Sequence, residues 1–440
     1  MTKCNTLQGL FQVPKFRRLA VDFGGGHVSS DGGLLLMRGV EEKTGVIRDA
    51  AKVVEQYDMR QQALVVHDIH SMLAQRIMGL AAGYEDLNDH KTLSTDPLVQ
   101  SVCGRDENLA SPSTLCRLEQ TASRAMNVEL SKLLVEQFIK GFKTPPKELI
   151  LDYDATDSIL HGHQEGRFFH GYYGHYCYLP LYVFCGQQLL VAYLRPANGD
   201  GARHAWAILM LLVKRLRKQW PGVKITFRGD SGFCRHEMFN WCEKHDVKYI
   251  AGIAGNAVVK QLGAGLSAKV KAQFEATKTA QKEYGEFQYA AKTWKRERRV
   301  IHKAEHNAQG DNDRFIVTNL DGDAKALYAE VYCARGDMEN RIKEQQLDLF
   351  ADRTSSHAFA TNQLRLLLSG FAYVLMERLR ALVLAGTAFA AAQCQTIRLK
   401  LLKIGAVVVR NTRSLRVSLS SSYPHMDAFN LIAQRIAMLT

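Results

Sequence analysis

The sequence lacks the features that mark a disulfide-rich or membrane-spanning protein. Its nine cysteines are scattered, odd in number and include no Cys-x-x-Cys pair, which favours a reducing, cytoplasmic compartment over a disulfide framework. The most apolar stretch, Ala381 to Ile397, is interrupted by Thr387, Gln393 and Gln395, so we interpret it as a buried helix rather than a membrane span. Met1 to Leu19 has no continuous apolar core, which predicts that no signal peptide opens the chain.

Glycine-rich nucleotide-binding motifs and acidic residues are also scarce. Gly24-Gly25-Gly26 has neither the Lys-Ser/Thr of a phosphate-binding loop nor a Gly-x-Gly-x-x-Gly spacing, so we interpret it as a turn. Only 44 Asp and Glu stand against 57 Lys and Arg, which gives a net charge of +13. This excess favours a polyanionic partner, because neutralising phosphates releases counterions. Many basic proteins never bind DNA, so charge alone does not identify the partner.

The pattern of the 440 residues changes at three places, and a chain of this length has room for about two to four domains. Residues 1–145 read mainly as helices, one of them starting at Ser111-Pro112, and Pro145-Pro146 follows as a boundary. Residues 146–254 alternate strands and helices, which indicates an α/β core. Residues 255–323 are polar with strand-like pieces, which predicts a β-rich insertion. Helices resume over 324–440.

Two predicted strands end in acidic residues. Glu148 to Tyr153 leads into Asp154, and Lys224 to Phe227 leads into Asp230. Sites in open α/β sheets gather beyond the ends of strands, so these acids could converge. Asp152 shares the strand face of Asp154 and is the alternative first acid. Each acid could also be an ordinary turn former or helix cap.

A third carboxylate lies on a predicted helix among cations. Tyr332, Arg335, Glu339 and Lys343 are three or four residues apart, so they share one helix face. A carboxylate flanked by cations and a phenol suits a site that handles phosphate. The alternative is a solvated helix face with ordinary salt bridges.

Six segments spread over nearly the whole chain carry a resemblance to a known family. They are Gly83 to His90, Leu109 to Glu119, Leu151 to Asp157, Gly171 to Gly174, Arg228 to Phe233 and Glu339 to Glu344. Together they resemble the DDE transposases of bacterial insertion sequences, in the group marked by a Tyr-Arg-Glu-Lys signature. Within that group the chain is most similar to the branch designated by the number 1380.

The resemblance implies a fold, a reaction and partners. We expect an α/β fold with a ribonuclease-H-like catalytic core, interrupted by a β-rich insertion and preceded by a mostly helical, DNA-binding N-terminal region. The implied reaction is cut-and-paste transposition at inverted-repeat ends. The expected partners are double-stranded DNA, as terminal repeats and as target, and a second copy of the chain in a homodimer on DNA. A cytoplasmic, nucleoid-associated location in a bacterium follows.

The resemblance also assigns roles to individual residues by position. The acids of the triad are Asp154, Asp230 and Glu339, and the first two signature residues are Tyr332 and Arg335. The signature Lys is expected seven residues after the last acid, where Gln346 stands. Lys343 is the alternative source of that phosphate contact.

Three carboxylates without His or Cys are sufficient for this chemistry. Two divalent ions about 3.5–4 Å apart can activate a water or a 3′-hydroxyl and stabilise the leaving oxygen. Mg²⁺ or Mn²⁺ suits carboxylate oxygens. A nearby Arg or Lys can neutralise charge that develops on the phosphate.

Two further residues are predicted to bind DNA. Arg117 is expected to be exposed on the helix that starts at Ser111, which would then read bases; a purely structural helix is the alternative. Trp294 lies among the cations of Lys292 to Arg299. Some transposases of the resembled group hold a flipped base in the inserted subdomain, and Trp294 could stack on such a base. Packing of the insertion onto the core is the alternative for Trp294.

Two other functions fit parts of this pattern. A ribonuclease-H-like nuclease would cut DNA without joining strands, and a DNA-binding regulator would keep the acids inert. Strand transfer into a target plasmid excludes the first, and metal-dependent nicking of terminal-repeat DNA excludes the second.

Overall fold

Helices open the part of the chain described by the structure, a computed structural model that covers residues 21–439. The elements up to residue 140 are β1 (Val28–Ser29), α1 (Leu34–Thr44), α2 (Val46–Glu55), α3 (Ile69–Ala82), α4 (His90–Leu93), α5 (Pro97–Val102), α6 (Pro112–Gln120) and α7 (Arg124–Lys140). The start of α3 is set by Asp68, whose carboxylate accepts a hydrogen bond from the backbone N–H of Ser71 at 2.7 Å. Ser111 caps α6 in the same way, accepting from the Thr114 N–H at 3.3 Å. The helix start predicted at Ser111-Pro112 is confirmed.

Strands and helices then alternate, as predicted for residues 146–254. These elements are β2 (Glu148–Ala155), β3 (Ser158–Ile159), β4 (Phe168–His170), β5 (His175–Tyr178), β6 (Leu181–Cys185), β7 (Gln188–Tyr193), α8 (Ala205–Gln219), β8 (Lys224–Gly229), α9 (His236–Lys244), β9 (Lys248–Ile253), α10 (Ala257–Thr277), β10 (Gln281–Tyr289), β11 (Arg298–Asn307), β12 (Gly310–Asp311) and β13 (Arg314–Thr318). The fold is therefore mixed α/β.

Nine of these strands form one mixed sheet. Its order is β10-β11-β13-β9-β8-β2-β6-β7, and β12 pairs with β11. The strand β8 is parallel to both β2 and β9, whereas the other neighbouring strands are antiparallel. On one face, Leu151 and Phe227 belong to the same buried cluster as Leu212 of α8. Because β2, β8 and β9 are parallel, their carboxyl ends meet at one edge of the sheet.

Residues 255–323 combine one long helix with four strands. The segment begins with the helix α10, which spans 21 residues. Its strands extend the main sheet, because β13 pairs with β9 and places Phe315 opposite Ile253. The first of them, β10, ends at Tyr289, before Trp294.

The last part of the chain is mainly helical with one hairpin. Its elements are α11 (Ala324–Ala326), α12 (Gly336–Lys343), α13 (Phe359–Leu379), α14 (Cys394–Ile397), β14 (Ala406–Arg410), β15 (Leu415–Leu419) and α15 (Met426–Met438). The single helix predicted over Ala381 to Ile397 is wrong. A π-helical turn, Arg380–Leu384, is followed by irregular turns before the short α14. No helix within residues 21–439 has the length and apolar character to cross a membrane.

The chain divides into two compact units. The sheet unit, Leu118–Glu377, contains the nine-stranded sheet; the terminal unit combines Met1–Arg117 with Arg378–Thr440, of which 21–117 and 378–439 are described. In the terminal unit the two ends of the chain share a sheet, β1-β14-β15. Lys403 supports this junction, with its Nζ 2.7 Å from Oδ1 of the buried Asp31.

Candidate active site

The ends of β2 and β8 place two aspartates side by side. The strands are parallel with Tyr153 opposite Gly229, so Asp154 and Asp230 are the next residues along each. Tyr153 is fully buried in the core, and the alternation of a strand therefore turns Asp154 to the opposite face. Asp230 caps the short turn that follows β8, its Oδ1 accepting from the Gly232 N–H at 2.8 Å. The convergence of these two acids follows from strand register.

Asp154 is a mostly buried carboxylate whose charge is incompletely compensated. Its side chain is 15% exposed, and its Oδ2 lies 3.3 Å from Nη1 of Arg335. Its Oδ1 accepts from the Ala155 N–H at 2.9 Å. Burial raises the pKa of Asp154 to about 6; Arg335 opposes this rise, and the charges of Asp230 and Glu339 add to it. Three carboxylates are therefore close enough to disfavour one another's charge.

A helical run brings Arg335 and Glu339 to these aspartates. The run continues from α11 through a π-helical turn, Leu327–Tyr332, to α12 and a second π-helical turn, Glu344–Asp348; such turns are frequent at functional sites. Nη2 of Arg335 lies 3.8 Å from Oε1 of Glu339, while Nη1 contacts Asp154. Burial lowers the pKa of Arg335, but the surrounding negative charges outweigh burial and raise it. The guanidinium is thus the positive centre of the acidic cluster.

Gly252 of β9 gives Tyr332 access to the same site. A Cβ at this position would lie 2.7 Å from Oη of Tyr332 and 2.8 Å from the backbone nitrogen of Ser231, so a side chain would displace one of them. Burial raises the pKa of Tyr332; the charge of Arg335 opposes this rise, and the charge of Asp230 adds to it. The sequence analysis did not assign a role to Gly252, although a glycine inside a predicted strand signals a close approach.

Asp152 has a different environment from Asp154. Arg228 lies opposite Asp152 in the strand register and donates from Nε to Oδ1 and from Nη2 to Oδ2, the latter at 2.8 Å. Arg228 also donates to the carbonyl of Val331. The Asp152 and Arg228 side chains are 1% and 8% exposed. Asp152 therefore belongs to a buried ion pair that ties β2, β8 and the helical run together.

The position where the resemblance predicts a Lys is occupied by a neutral hydrogen-bond donor. Gln346 donates from Nε2 to the carbonyl of Asp157 at 2.9 Å. Oδ2 of Asp157 in turn lies 2.7 Å from Nε2 of His175. Lys343 ends α12 and is exposed. The cation expected at Gln346 is thus replaced by a contact that holds the loop after β2.

An aromatic hairpin, β4–β5, lies beside the acids and was not assigned a role from the sequence. Burial raises the pKa of Tyr173 to about 12, and the charges of Asp157 and Asp154 add to the rise, which places this phenol near the site. Tyr172 is 86% exposed and Phe169 is 57% exposed. The signal that could have found the hairpin is the segment Gly171 to Gly174, which carried only the family resemblance.

Trp294 and Arg117 lie in contrasting settings. The half-buried Trp294 ring packs against Phe239 and Tyr289, with centroids 6.2 and 5.4 Å apart, and the Arg298 guanidinium lies 5.0 Å over it. These are the contacts expected of a packing residue. Arg117 is exposed on α6, where its Nη2 donates to Oγ1 of Thr114 at 3.0 Å.

The donor chemistry of the acidic cluster suits a hard divalent cation. Asp154, Asp230 and Glu339 offer only carboxylate oxygens. Burial, with a smaller contribution from the charges of Asp230 and Glu339, raises the pKa of Asp154, and a bound cation would favour its charged form. Within residues 21–439, no three acidic, His or Cys side chains are spaced closely enough to form a preformed metal site. Arg335 bridges Asp154 and Glu339 instead. A bound cation would therefore require these carboxylates to draw together.

Comparisons with known proteins bear on the identity of the chain. One solved structure that matches is a cryo-EM structure of a piggyBac transposase synaptic complex with hairpin DNA; it is 10% identical, with 85% of this chain and 79% of that chain covered and a TM-score of 0.42. No curated protein matches significantly. Residues 11–440 match the family described as "Transposase DDE domain group 1". The chain therefore belongs to the DDE transposases.

Proposed function

We propose that this chain cuts and joins DNA strands at the inverted-repeat ends of a bacterial insertion sequence, in the branch designated 1380. The observation that carries the proposal is the acidic cluster itself. Asp154 and Asp230 lie side by side at the ends of parallel strands, and Arg335 reaches from Asp154 to Glu339. A desolvated group of carboxylates with one guanidinium suits phosphodiester chemistry.

The proposed core is ribonuclease-H-like. Five adjacent strands of the sheet support this, in the order β7-β6-β2-β8-β9. The strands β2, β6 and β7 are neighbours in the sheet and antiparallel to one another in turn. The next two strands along the chain, β8 and β9, run parallel to β2. The proposal is supported by this order because Asp154 and Asp230, the proposed first and second acids, belong to the ends of neighbouring strands.

Mg²⁺ or Mn²⁺ is the proposed cofactor, held by Asp154, Asp230 and Glu339. Two such ions would activate the attacking water or 3′-hydroxyl and stabilise the leaving oxygen. In this structure Arg335 pairs with Asp154. Once Asp154 has another positive partner, the guanidinium is available to donate to a phosphate oxygen, for which its planar fork is suited. The Tyr332 hydroxyl, still protonated because its pKa is raised, is a second donor at the same place.

The remaining expectations concern DNA and assembly. We propose that residues 1–145 contribute to terminal-repeat binding, with Arg117 on the face of α6 that meets DNA, and that Lys343 contacts phosphate. Residues 255–323 would hold a strained DNA end through Trp294. The Trp294 ring would first have to leave its contacts with Phe239 and Tyr289. The proposed active species is a homodimer on DNA, in the cytoplasm and associated with the nucleoid.

The test uses purified full-length chain and a supercoiled plasmid that carries its gene with flanking DNA. In Mg²⁺ or Mn²⁺ we expect nicking at the element ends and strand transfer into a second plasmid. Asp154→Ala, Asp230→Ala and Glu339→Ala should each abolish cleavage but retain gel-shift affinity, because duplex binding depends mainly on cationic contacts. Asp337→Ala is the matched control, since Asp337 lies on the same helix as Glu339 and its side chain is 72% exposed.

The outcomes separate the candidate functions. Retained cleavage in one of the three variants removes that residue from the triad. Cleavage without strand transfer identifies a nuclease, and binding without any metal-dependent nicking identifies a regulator. Either result contradicts the proposed transposase reaction.

A further inference from the structure

One long segment of the chain contains no acidic residue. Between Arg378 and Met426 there is no Asp or Glu. The cations of this segment are Arg378, Arg380, Arg398, Lys400, Lys403, Arg410, Arg413 and Arg416. The segment thus carries +8 of the chain's net charge of +13. Its whole length belongs to the terminal unit.

Several of these cations stabilise the terminal unit and are not available to a partner. Arg398 donates from Nε to the carbonyl of Ala81 at 2.9 Å. Lys403 pairs with the buried Asp31. Arg410 donates to Oε1 of Gln100 at 3.3 Å and lies 3.7 Å from the carboxylate of Asp106. Arg410, which pairs with Leu415 beside the turn, therefore anchors the turn end of the β14–β15 hairpin, and Asp106 offsets its charge.

Arg413 and Arg416 are different. Both are exposed, and neither guanidinium forms a hydrogen bond or ion pair with a residue in the described range 21–439. Asn411 orders the turn that carries Arg413, because its Oδ1 accepts from the backbone N–H groups of Arg413 and Ser414 at 3.0 and 2.8 Å. Arg416 lies opposite Val409 on the paired strand. Two free cations are thus held on a preordered hairpin.

The outer face of the hairpin is apolar and cationic. Ala406 and Val408 are buried, whereas Val407 and Val409 are 42% and 55% exposed. The alternation of the strands puts these two valines on the same face as Arg416. Such a face, whose own strands contain no acidic residue, suits the surface of a nucleic acid, where sugars present apolar edges between phosphates.

The hairpin and the helix α6 are joined through one loop. Gln100, which accepts from Arg410, donates to the carbonyl of Ser94 at 3.0 Å and to Oδ1 of Asn108 at 3.2 Å. The loop that contains Asn108 continues directly to Ser111, the cap of α6. Arg410 therefore fastens the hairpin to the segment that leads into the proposed DNA-reading helix.

We propose that the β14–β15 hairpin binds duplex DNA, with Arg413 and Arg416 contacting backbone phosphates. A two-stranded ribbon is narrow enough to enter a DNA groove, and exposed guanidiniums without internal partners lose no protein contact when they bind phosphate. The DNA-binding surface then includes residues from the C-terminal part of the chain as well as α6. This rests on the proposed function only in taking DNA as the partner.

Duplex binding across a salt series tests the proposal without requiring catalysis. The full-length chain is titrated with a random-sequence duplex and with element-end DNA, in chelator and at several NaCl concentrations. The double variant Arg413→Ala/Arg416→Ala should reduce the magnitude of the log–log salt slope by about 1.8, since each lost phosphate contact removes about 0.9. When the salt concentration is lowered from about 1 M to about 0.1 M, the DNA affinity of the variant should therefore rise by a factor roughly 60-fold smaller than that of wild type.

Two control variants make the result specific. Lys214→Ala/Lys218→Ala removes two exposed lysines from α8, outside the regions proposed to bind DNA, and should leave the slope unchanged. Arg413→Lys/Arg416→Lys should restore most of it, which excludes a folding defect. An unchanged slope in the alanine variant, or an equal loss in the lysine control, overturns the proposal. Asp230→Asn distinguishes a failure of the proposed catalytic function from a failure of the hairpin proposal, because this variant should lose cleavage but keep the salt slope of wild type.

Discussion

The charge of Asp154 should destabilise the metal-free fold at neutral pH. Burial raises its pKa from an ordinary 3.8 to about 6. A carboxyl group whose pKa is raised by folding stabilises the folded state only while protonated. Its contribution is complete below pH 3.8 and is lost as the pH rises through about 6. The difference between these pKa values corresponds to about 3 kcal/mol.

Asp154→Asn removes this charge and keeps the size of the side chain. In chelator at pH 8, the free energy of unfolding of the variant should exceed that of wild type by up to about 3 kcal/mol. The advantage should shrink as the pH falls through 6 and disappear near pH 4, where wild-type Asp154 is protonated. Cleavage should be absent at every pH.

Tryptophan fluorescence during urea unfolding at pH 5 to 8 is a suitable assay. The four tryptophans, Trp206, Trp220, Trp241 and Trp294, all lie in the sheet unit that contains Asp154. Added Mn²⁺ should raise the stability of wild type and leave the variant unchanged, because ligands that bind only the folded state stabilise it.

The control for this prediction lies two residues away. Asp152→Asn breaks a buried ion pair and leaves Arg228 without a charged partner, so it should destabilise the fold by about 3–5 kcal/mol. Opposite effects from two similar substitutions on one strand would be difficult to obtain from a general surface-charge effect. A loss of stability in Asp154→Asn at pH 8, or a gain that persists at pH 4, would refute the reasoning.

Further predictions address the rest of the site. Gly252→Ala forces a methyl group against the Tyr332 hydroxyl and the Ser231 backbone. It should lower the free energy of unfolding by about 1–3 kcal/mol, with a lower Tm and slower nicking, and adding Tyr332→Phe should partly restore Tm. At metal concentrations that do not saturate the site, the nicking rate should fall as the pH is lowered through about 6, because protonation of Asp154 in the metal-free site competes with metal binding; a flat profile from pH 5 to 8 contradicts this. Trp294→Ala should slow hairpin formation or opening more than the first nick, whereas a loss of about 3–5 kcal/mol of stability would identify a packing residue. Arg117→Ala should lower the ratio of terminal-repeat to random-DNA affinity, measured by gel shift.

Local sequence was sufficient to predict the elements that deliver the aspartates. Apolar runs followed at once by Asp154 and Asp230 predict strands that end in acids, and β2 and β8 end there. The buried side of α8 follows an equally local pattern, because Leu212 and Leu216 are four residues apart and both are buried. These patterns depend only on neighbours along the chain.

Elements held by distant contacts could not be predicted in the same way. The helix α10 contains Gly263 and Gly265, which lower helix propensity. Gly263 is required there because a Cβ would lie 2.8 Å from Nδ1 of His302, a residue on the neighbouring strand β11. Similarly, the pairing of Val28 with Val407 joins positions too far apart for any local pattern to reveal.

The distinction between Asp152 and Asp154 also depends on a partner outside the local sequence. Both follow the same apolar run and share a strand face, so spacing cannot rank them. Register settles their partners, because it places Arg228 opposite Asp152 and leaves Asp154 with the longer 3.3 Å contact to Arg335. A cation at Asp152 would have to displace a two-point, buried guanidinium contact, which is costly. At Asp154 it would meet only the longer contact to Arg335, and this difference supports the proposal that Asp154 is the metal ligand.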